Sequence, residues 1–119
     1  MMRPQVLLCI ALALIVACAE PPATDPVQRG RQVYRQLECG RCHHIEGSGG
    51  RLGPELTRIG AVAETRRPEH TAEEYIRESI LDPGRYVVPG YNDVMPRGLG
   101  LRLSERDLDA LVRYLASLR

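Results

Sequence analysis

Apolar residues run unbroken from Val6 to Ala17 and thereafter recur only in short, helically spaced sets. The opening run follows a lone positive charge at Arg3, which is the anatomy of a secretory signal peptide rather than of a folded helix. It is also shorter than the ~20 apolar residues that cross a bilayer. Downstream, Asp25 can cap a helix that begins at Pro26, with Val27, Val33, Tyr34 and Leu37 repeating at helical spacing. Thr71 and Glu74 have capping-box spacing at the head of a second helix, which carries Tyr75, Ile76 and Ile80 on one face and stops at Asp82-Pro83. Ser104, with Asp107 three residues on, starts a third helix whose stripe is Leu108, Leu111, Val112, Leu115 and Leu118.

Nowhere does the chain alternate with a period of two, and it contains no internal repeat, so the pattern predicts an all-α fold of three main helices joined by irregular loops. One loop, residues 46–54 (EGSGGRLGP), has the composition of backbone that takes positive φ angles or approaches something closely. The other, residues 82–100, holds three prolines and four glycines. Long irregular connections of this kind are usually functional.

Composition sharpens the picture at two points. The 119 residues make one domain, and 16 basic against 15 acidic side chains give no sign of a nucleic-acid partner. Every basic residue is arginine. The chain has five tyrosines but no phenylalanine and no tryptophan, which leaves its core short of large apolar residues. Something other than side chains is expected to fill it.

At the end of the apolar run, Ile15-Val16-Ala17-Cys18 resembles the bacterial lipoprotein signal, in which the cysteine becomes the first mature residue and carries lipid. Residues 1–17 then read as a lipoprotein signal peptide, 18–26 as a Pro-rich linker anchored through Cys18, and 27–119 as the folded domain. Loss of Arg3 with the signal leaves a formally neutral chain. The segment AEPPATDP reaches at most ~26 Å at ~3.3 Å per residue, which keeps the domain close to a membrane surface.

Candidate chemistry is concentrated at Cys39-Gly40-Arg41-Cys42-His43, which has the C-x-x-C-H spacing of covalent haem attachment. Residues three apart in a helical turn project from one face, so Cys39 and Cys42 can each form a thioether with a haem vinyl group while His43 comes round beneath the iron. Three other readings compete: a disulfide between the cysteines, a thioredoxin-like redox pair, and a Cys2His2 zinc site using His43 and His44. The redox pair lacks its βαβ context, and adjacent histidines close a tetrahedral site poorly.

Through GRQVYRQLECGRCH, GRLGPEL, SILDPGRYVVPGYNDVMP and LSERDLDALVRYLASL, the chain resembles the class I cytochromes c from about Val27 to Leu118. The third segment is similar to the cytochrome c domain of subunit II of bacterial haem-copper oxidases. The resemblance implies a cytochrome c fold wrapped around one covalently attached haem c. It implies His43 as proximal ligand, its ring held by the Pro54 carbonyl, and Met95 as distal ligand, presented by Pro96. It also places Tyr91 beside the haem and brings Gly30 and Tyr34 against the terminal helix near Tyr114. Met95 is the only methionine after residue 2. An open iron site, or ligation by His44 or His70, remains the competing arrangement; His70 reads as a solvated residue before a helix cap.

The implied function is a membrane-tethered monohaem carrier of single electrons between respiratory redox partners on the periplasmic side, with a terminal haem-copper oxidase as acceptor, and not an enzyme. A haem enzyme or small-gas binder with an open or labile distal site is the alternative, and a permanent subunit of a larger complex a third. Among arginines flanking the motifs, Arg35, Arg58, Arg66, Arg67 and Arg97 read as solvated surface and Arg41 as lying at the exposed haem edge.

Overall fold

The computed structural model describes residues 23–119. The expected signal peptide, Cys18 and the first part of the linker lie outside the described residues. In chain order the elements are α1 (Pro26–Gln36), a 3₁₀ turn (Cys39–Arg41), the two-residue strands β1 (His44–Ile45) and β2 (Ser48–Gly49), α2 (Ile59–Arg66), α3 (Ala72–Leu81), a second 3₁₀ turn (Leu99–Arg102) and α4 (Glu105–Ala116). The strands pair antiparallel, His44 with Gly49 and Ile45 with Ser48, and do no more than close the loop after the cysteines. None of the helices among the described residues is long and apolar enough to cross a membrane.

The three expected helices form where their caps put them. The Asp25 carboxylate accepts from the Gln28 N–H at 2.8 Å. Thr71 Oγ1 accepts from the Glu74 N–H at 3.2 Å while the Glu74 carboxylate accepts from the Thr71 N–H at 2.8 Å, a complete capping box. Ser104 Oγ accepts from the Asp107 N–H at 3.1 Å. The apolar stripe of α4 is buried at Leu108, Leu111, Val112 and Leu115 and packs with Val33, Ile59, Ile76 and Ile80 from the other helices. Val27, counted with the apolar face of α1, is instead exposed.

Helix α1 crosses α4 in close contact. A Cβ on Gly30 would lie 2.6 Å from Tyr114 Cβ and closer still to the Ala110 carbonyl oxygen. The missing side chain therefore sets the helix separation. Beside it Tyr34 and Tyr114 meet edge to face, centroids 5.9 Å apart and planes at 68°. Arg29 Nε donates to Asp107 at 2.5 Å across the same crossing. That hydrogen bond is the main reason the Asp107 carboxyl is held below its ordinary range. The depressed value means that the pair contributes above the usual aspartate pKa and is lost as pH falls through the folded-state value.

Helix α2 has no counterpart in the hydrophobic pattern. Ile59, Gly60 and Ala63 are buried on one face, but Ala61 and Val62 on the rest of the helix are apolar too, so no amphipathic period marks it, and its N-cap, Arg58, makes no side-chain cap. It is fixed from outside, since the Gly60 N–H donates to the Leu118 carbonyl at 2.8 Å and a Cβ on Gly60 would run into Ala116. Two residues read as solvated are also drawn inward. Arg67 donates to Glu69 at 2.5 Å and Glu78 at 3.1 Å, with its guanidinium 5.7 Å from the Tyr86 ring centre. His70 stands 3.5 Å from both carboxylates, with only 22% of its side chain exposed.

Gly30→Ala separates a packing role from ordinary helix propensity. An exposed helical glycine replaced by alanine gains roughly 0.5–1 kcal/mol. Here the clash is with backbone, so urea unfolding of the holoprotein is expected to show a loss of about 1–3 kcal/mol. A gain in stability would contradict the close crossing.

Candidate functional site

Helix α1 ends at Gln36, and Glu38, with φ of 55°, turns the chain into the 3₁₀ turn that carries the cysteines. Left-handed backbone is costly for a non-glycine residue and redirects the chain sharply. The His43 N–H donates back to the Cys39 carbonyl at 3.0 Å, so the C-x-x-C-H segment is one closed turn. Glycines then lay the following loop against it. The Gly50 N–H donates to the Gly40 carbonyl at 2.9 Å and the Gly53 N–H to the Cys42 carbonyl at 2.8 Å. Positive φ occurs at Glu46, Gly47 and Gly49, as the loop composition predicts.

The close approach expected of this loop is made to the His43 ring. A Cβ on Gly53 would lie 2.6 Å from His43 Cε1. The next residue, Pro54, accepts from His43 Nδ1–H at 2.7 Å. With Nδ1 donating to a carbonyl, the ring's lone pair is on Nε2. Burial, first, and the charges of His44 and Arg66 push the His43 pKa down, against the opposing pull of the Pro54 carbonyl. The imidazole is therefore a neutral, oriented donor at ordinary pH.

The bland readings of the cysteines fit poorly. Both thiols are free. Burial pushes Cys39 up to about 11, the reverse of the acidic thiol that a redox pair needs. His44 is turned aside, its Nδ1 donating to the Gly50 carbonyl at 3.2 Å with the ring almost fully buried. Among the described residues no group of three or more His, Cys, Asp or Glu side chains converges as a metal site.

Cys39, Cys42 and His43 open onto a cavity of about 580 Å³. Small-molecule and cofactor sites span roughly 300–1,000 Å³. Its lining is mostly apolar and draws on every described helix, with the buried Leu56, Ile76, Ile80 and Leu111 among it. Residues of the long loop after α3 complete it, among them Tyr91 and Met95. Met95 is half-buried, whereas Tyr91 is 37% exposed and lies at the mouth. Arg41 is also at the mouth, its side chain 77% exposed and paired with Glu38 at 3.4 Å. His70 does not line the cavity.

The residues present fit a covalently attached haem. Two thiols three residues apart and a neutral, oriented imidazole stand on one wall, a thioether on the loop that forms another, and apolar side chains between. Cys39, Cys42, His43, Pro54, Tyr91 and Met95, singled out in the sequence, are thus brought around one space.

Sequence reading missed Gly53, although its place directly before Pro54 was the available signal. It also missed the ion pair on either side of Met95. Arg97 donates with Nη1 and Nη2 to the two oxygens of Asp93, each at 2.8 Å. This hydrogen bonding holds the Asp93 carboxyl below its usual range.

The family model described as Cytochrome c matches residues 27–119. The chain is similar to cytochrome c oxidase subunit 2 of Alkalihalophilus pseudofirmus, 31% identical over 104 residues that cover 84% of this chain and 28% of the relative. It is also similar to a nitric oxide reductase subunit of Stutzerimonas stutzeri, 29% identical over 101 residues that cover 81% of this chain and 60% of the relative. It spans less than two thirds of the length of either curated relative.

Gly53→Ala should force the His43 ring away from the Pro54 carbonyl. Thermal unfolding followed through haem absorption is expected to show a loss of about 1–3 kcal/mol, the usual cost of overpacking. Unchanged stability and an unchanged spectrum would mean that the ring does not lie where the glycine places it.

Proposed function

The chain belongs to the cytochrome c family, and from that premise we propose a membrane-tethered monohaem protein that carries single electrons between respiratory redox partners. Membership brings one covalently bound haem c and electron transfer. When bound, the haem supplies a one-electron ferric/ferrous couple whose potential is set by its axial ligands and surroundings.

In this reading Cys39 and Cys42 hold the haem through thioethers, His43 Nε2 is the proximal ligand and Met95 the distal one. The observation that carries it is the 2.7 Å bond from His43 Nδ1 to the Pro54 carbonyl. It fixes the tautomer, aims Nε2 away from the supporting loop and strengthens its donation. Met95 lines the same cavity from the loop after α3, which supports a closed distal position. With His43 and Met95 both holding it, the iron would have no open position for a substrate, which favours a carrier over an enzyme or gas binder. A thioether donor and an apolar lining both favour the ferrous state. Tyr91 and Arg41 both stand at the mouth of the cavity, where a partner would approach.

The tether rests on Ile15-Val16-Ala17-Cys18, with residues 1–17 removed, Cys18 lipidated and residues 18–26 joining the lipid to the domain on the periplasmic side of a membrane. The described chain enters the fold at the start of α1, where the Ala23 N–H donates to Gln32 at 3.3 Å. The relatives are named as subunits of an oxidase and of a reductase. Those names support respiratory partners, a terminal haem-copper oxidase first among them as acceptor, and they equally favour a second reading in which this chain stays bound as part of a larger complex.

Carbon monoxide binding separates a closed site from an open one. The ferrous protein is expected to take up carbon monoxide slowly or not at all at neutral pH, and Met95→Ala rapidly. The ferric protein should show the weak long-wavelength band of a thioether ligand, absent in Met95→Ala. Rapid uptake by the parent protein, with no such band, would favour the gas-binding alternative.

A further inference from the structure

We propose that Asp93 and Arg97 form a clamp that positions Met95 and keeps the distal position closed. The inference rests on Met95 being the distal ligand. The two side chains flank Met95 at equal distance along the chain and meet fork to fork, Nη1 with Oδ1 and Nη2 with Oδ2 at 2.8 Å each. Arg97 Nη1 also donates to the Met95 carbonyl at 3.2 Å. Five residues are thereby drawn into a ring with Met95 at its centre.

The rest of this segment has little else to hold it. Between Asn92 and Gly98 one backbone hydrogen bond is found among the described residues, from the Val94 N–H to the Asn92 carbonyl at 3.0 Å. Val94 is half exposed, and Gly98, with φ of 78°, turns the chain away. Loops of this kind lie at the low end of local stability, so a few contacts decide how often they open. The clamp also has a seat. A Cβ on Gly84 would be 2.5 Å from Arg97 Nη2 and 3.4 Å from Asp93 Oδ2, so the pair lies against the backbone of the turn that follows α3.

An exposed ion pair ordinarily contributes little, because solvent screens it and two side chains must be ordered. Bidentate pairing of a planar guanidinium with a carboxylate is the geometry in which that generalisation is weakest. Lysine offers a point charge without the fork. Asp93 and Arg97 are positioning residues: they act on the iron site through the Met95 backbone, and what they control is how rarely the thioether leaves.

The test uses the holoprotein and the variants Asp93→Asn, Arg97→Gln, Arg97→Lys and the Asp93→Asn/Arg97→Gln double. Carbon monoxide association with the ferrous protein and the ferric thioether band are read beside the urea unfolding midpoint. Each neutralising single variant is expected to raise the association rate about fivefold. The double should be no faster than the singles, as partners in one interaction behave, and Arg97→Lys should fall between them and the parent. Unchanged association in both single variants, with the band intact in the parent, would overturn the clamp alone. Rate increases that add in the double variant and track a lower unfolding midpoint would also overturn it, as general loosening. A parent that lacks the band and binds carbon monoxide as fast as Met95→Ala would overturn the ligation itself.

Discussion

The interior of the four described helices, built without phenylalanine or tryptophan, leaves a space that aliphatic side chains and tyrosines do not close. The cavity of about 580 Å³ is bordered by residues of every helix and of the long loop, so the group that occupies it is a neighbour to all of them. Interiors are packed to crystal density, and a void of that size would forfeit contacts along its whole lining. Haem c is then a structural element as well as a redox centre: its faces become the surface against which α1, α3, α4 and the loop bury their apolar residues. Covalent attachment makes that surface permanent.

The two sides of the cavity are built by different means. The side that carries His43 is a closed turn, with a glycine loop hydrogen-bonded to it at Gly40 and Cys42 and a glycine against the imidazole face. Nearly every constraint there is backbone, which fixes the ring within narrow limits. The side that carries Met95 is irregular chain, held chiefly through side chains. In the proposed ligation one ligand is therefore rigid and the other is as firm as its loop. A carrier of single electrons needs both to stay in place, since its iron must change charge with little movement around it.

The sequence made the capped helices legible because each carries its own start signal: Asp25 before Pro26, Thr71 with Glu74, Ser104 with Asp107. The crossing at Gly30 and the bond from His43 to Pro54 were legible through the resemblance to class I cytochromes c. Helix α2 was not, because apolar Ala61 and Val62 blur the buried face of Ile59, Gly60 and Ala63, and the bond that holds Gly60 to the end of α4 leaves no period in the chain. Charges were misread for a related reason. Arg67 and His70 look like surface residues until the turn between α2 and α3 sets them among Glu69, Glu78 and Tyr86, and Asp93 and Arg97 look unrelated until the loop brings them face to face.

Circular dichroism of the Cys39→Ser/Cys42→Ser double variant is the decisive test of whether the helices depend on the attached group. Expressed beside the parent in a host able to mature c-type haem, this variant is expected to lose most of its helical signal and to unfold without cooperativity. A haem-free protein with the parent's full helical signal and a sharp unfolding transition would refute that dependence.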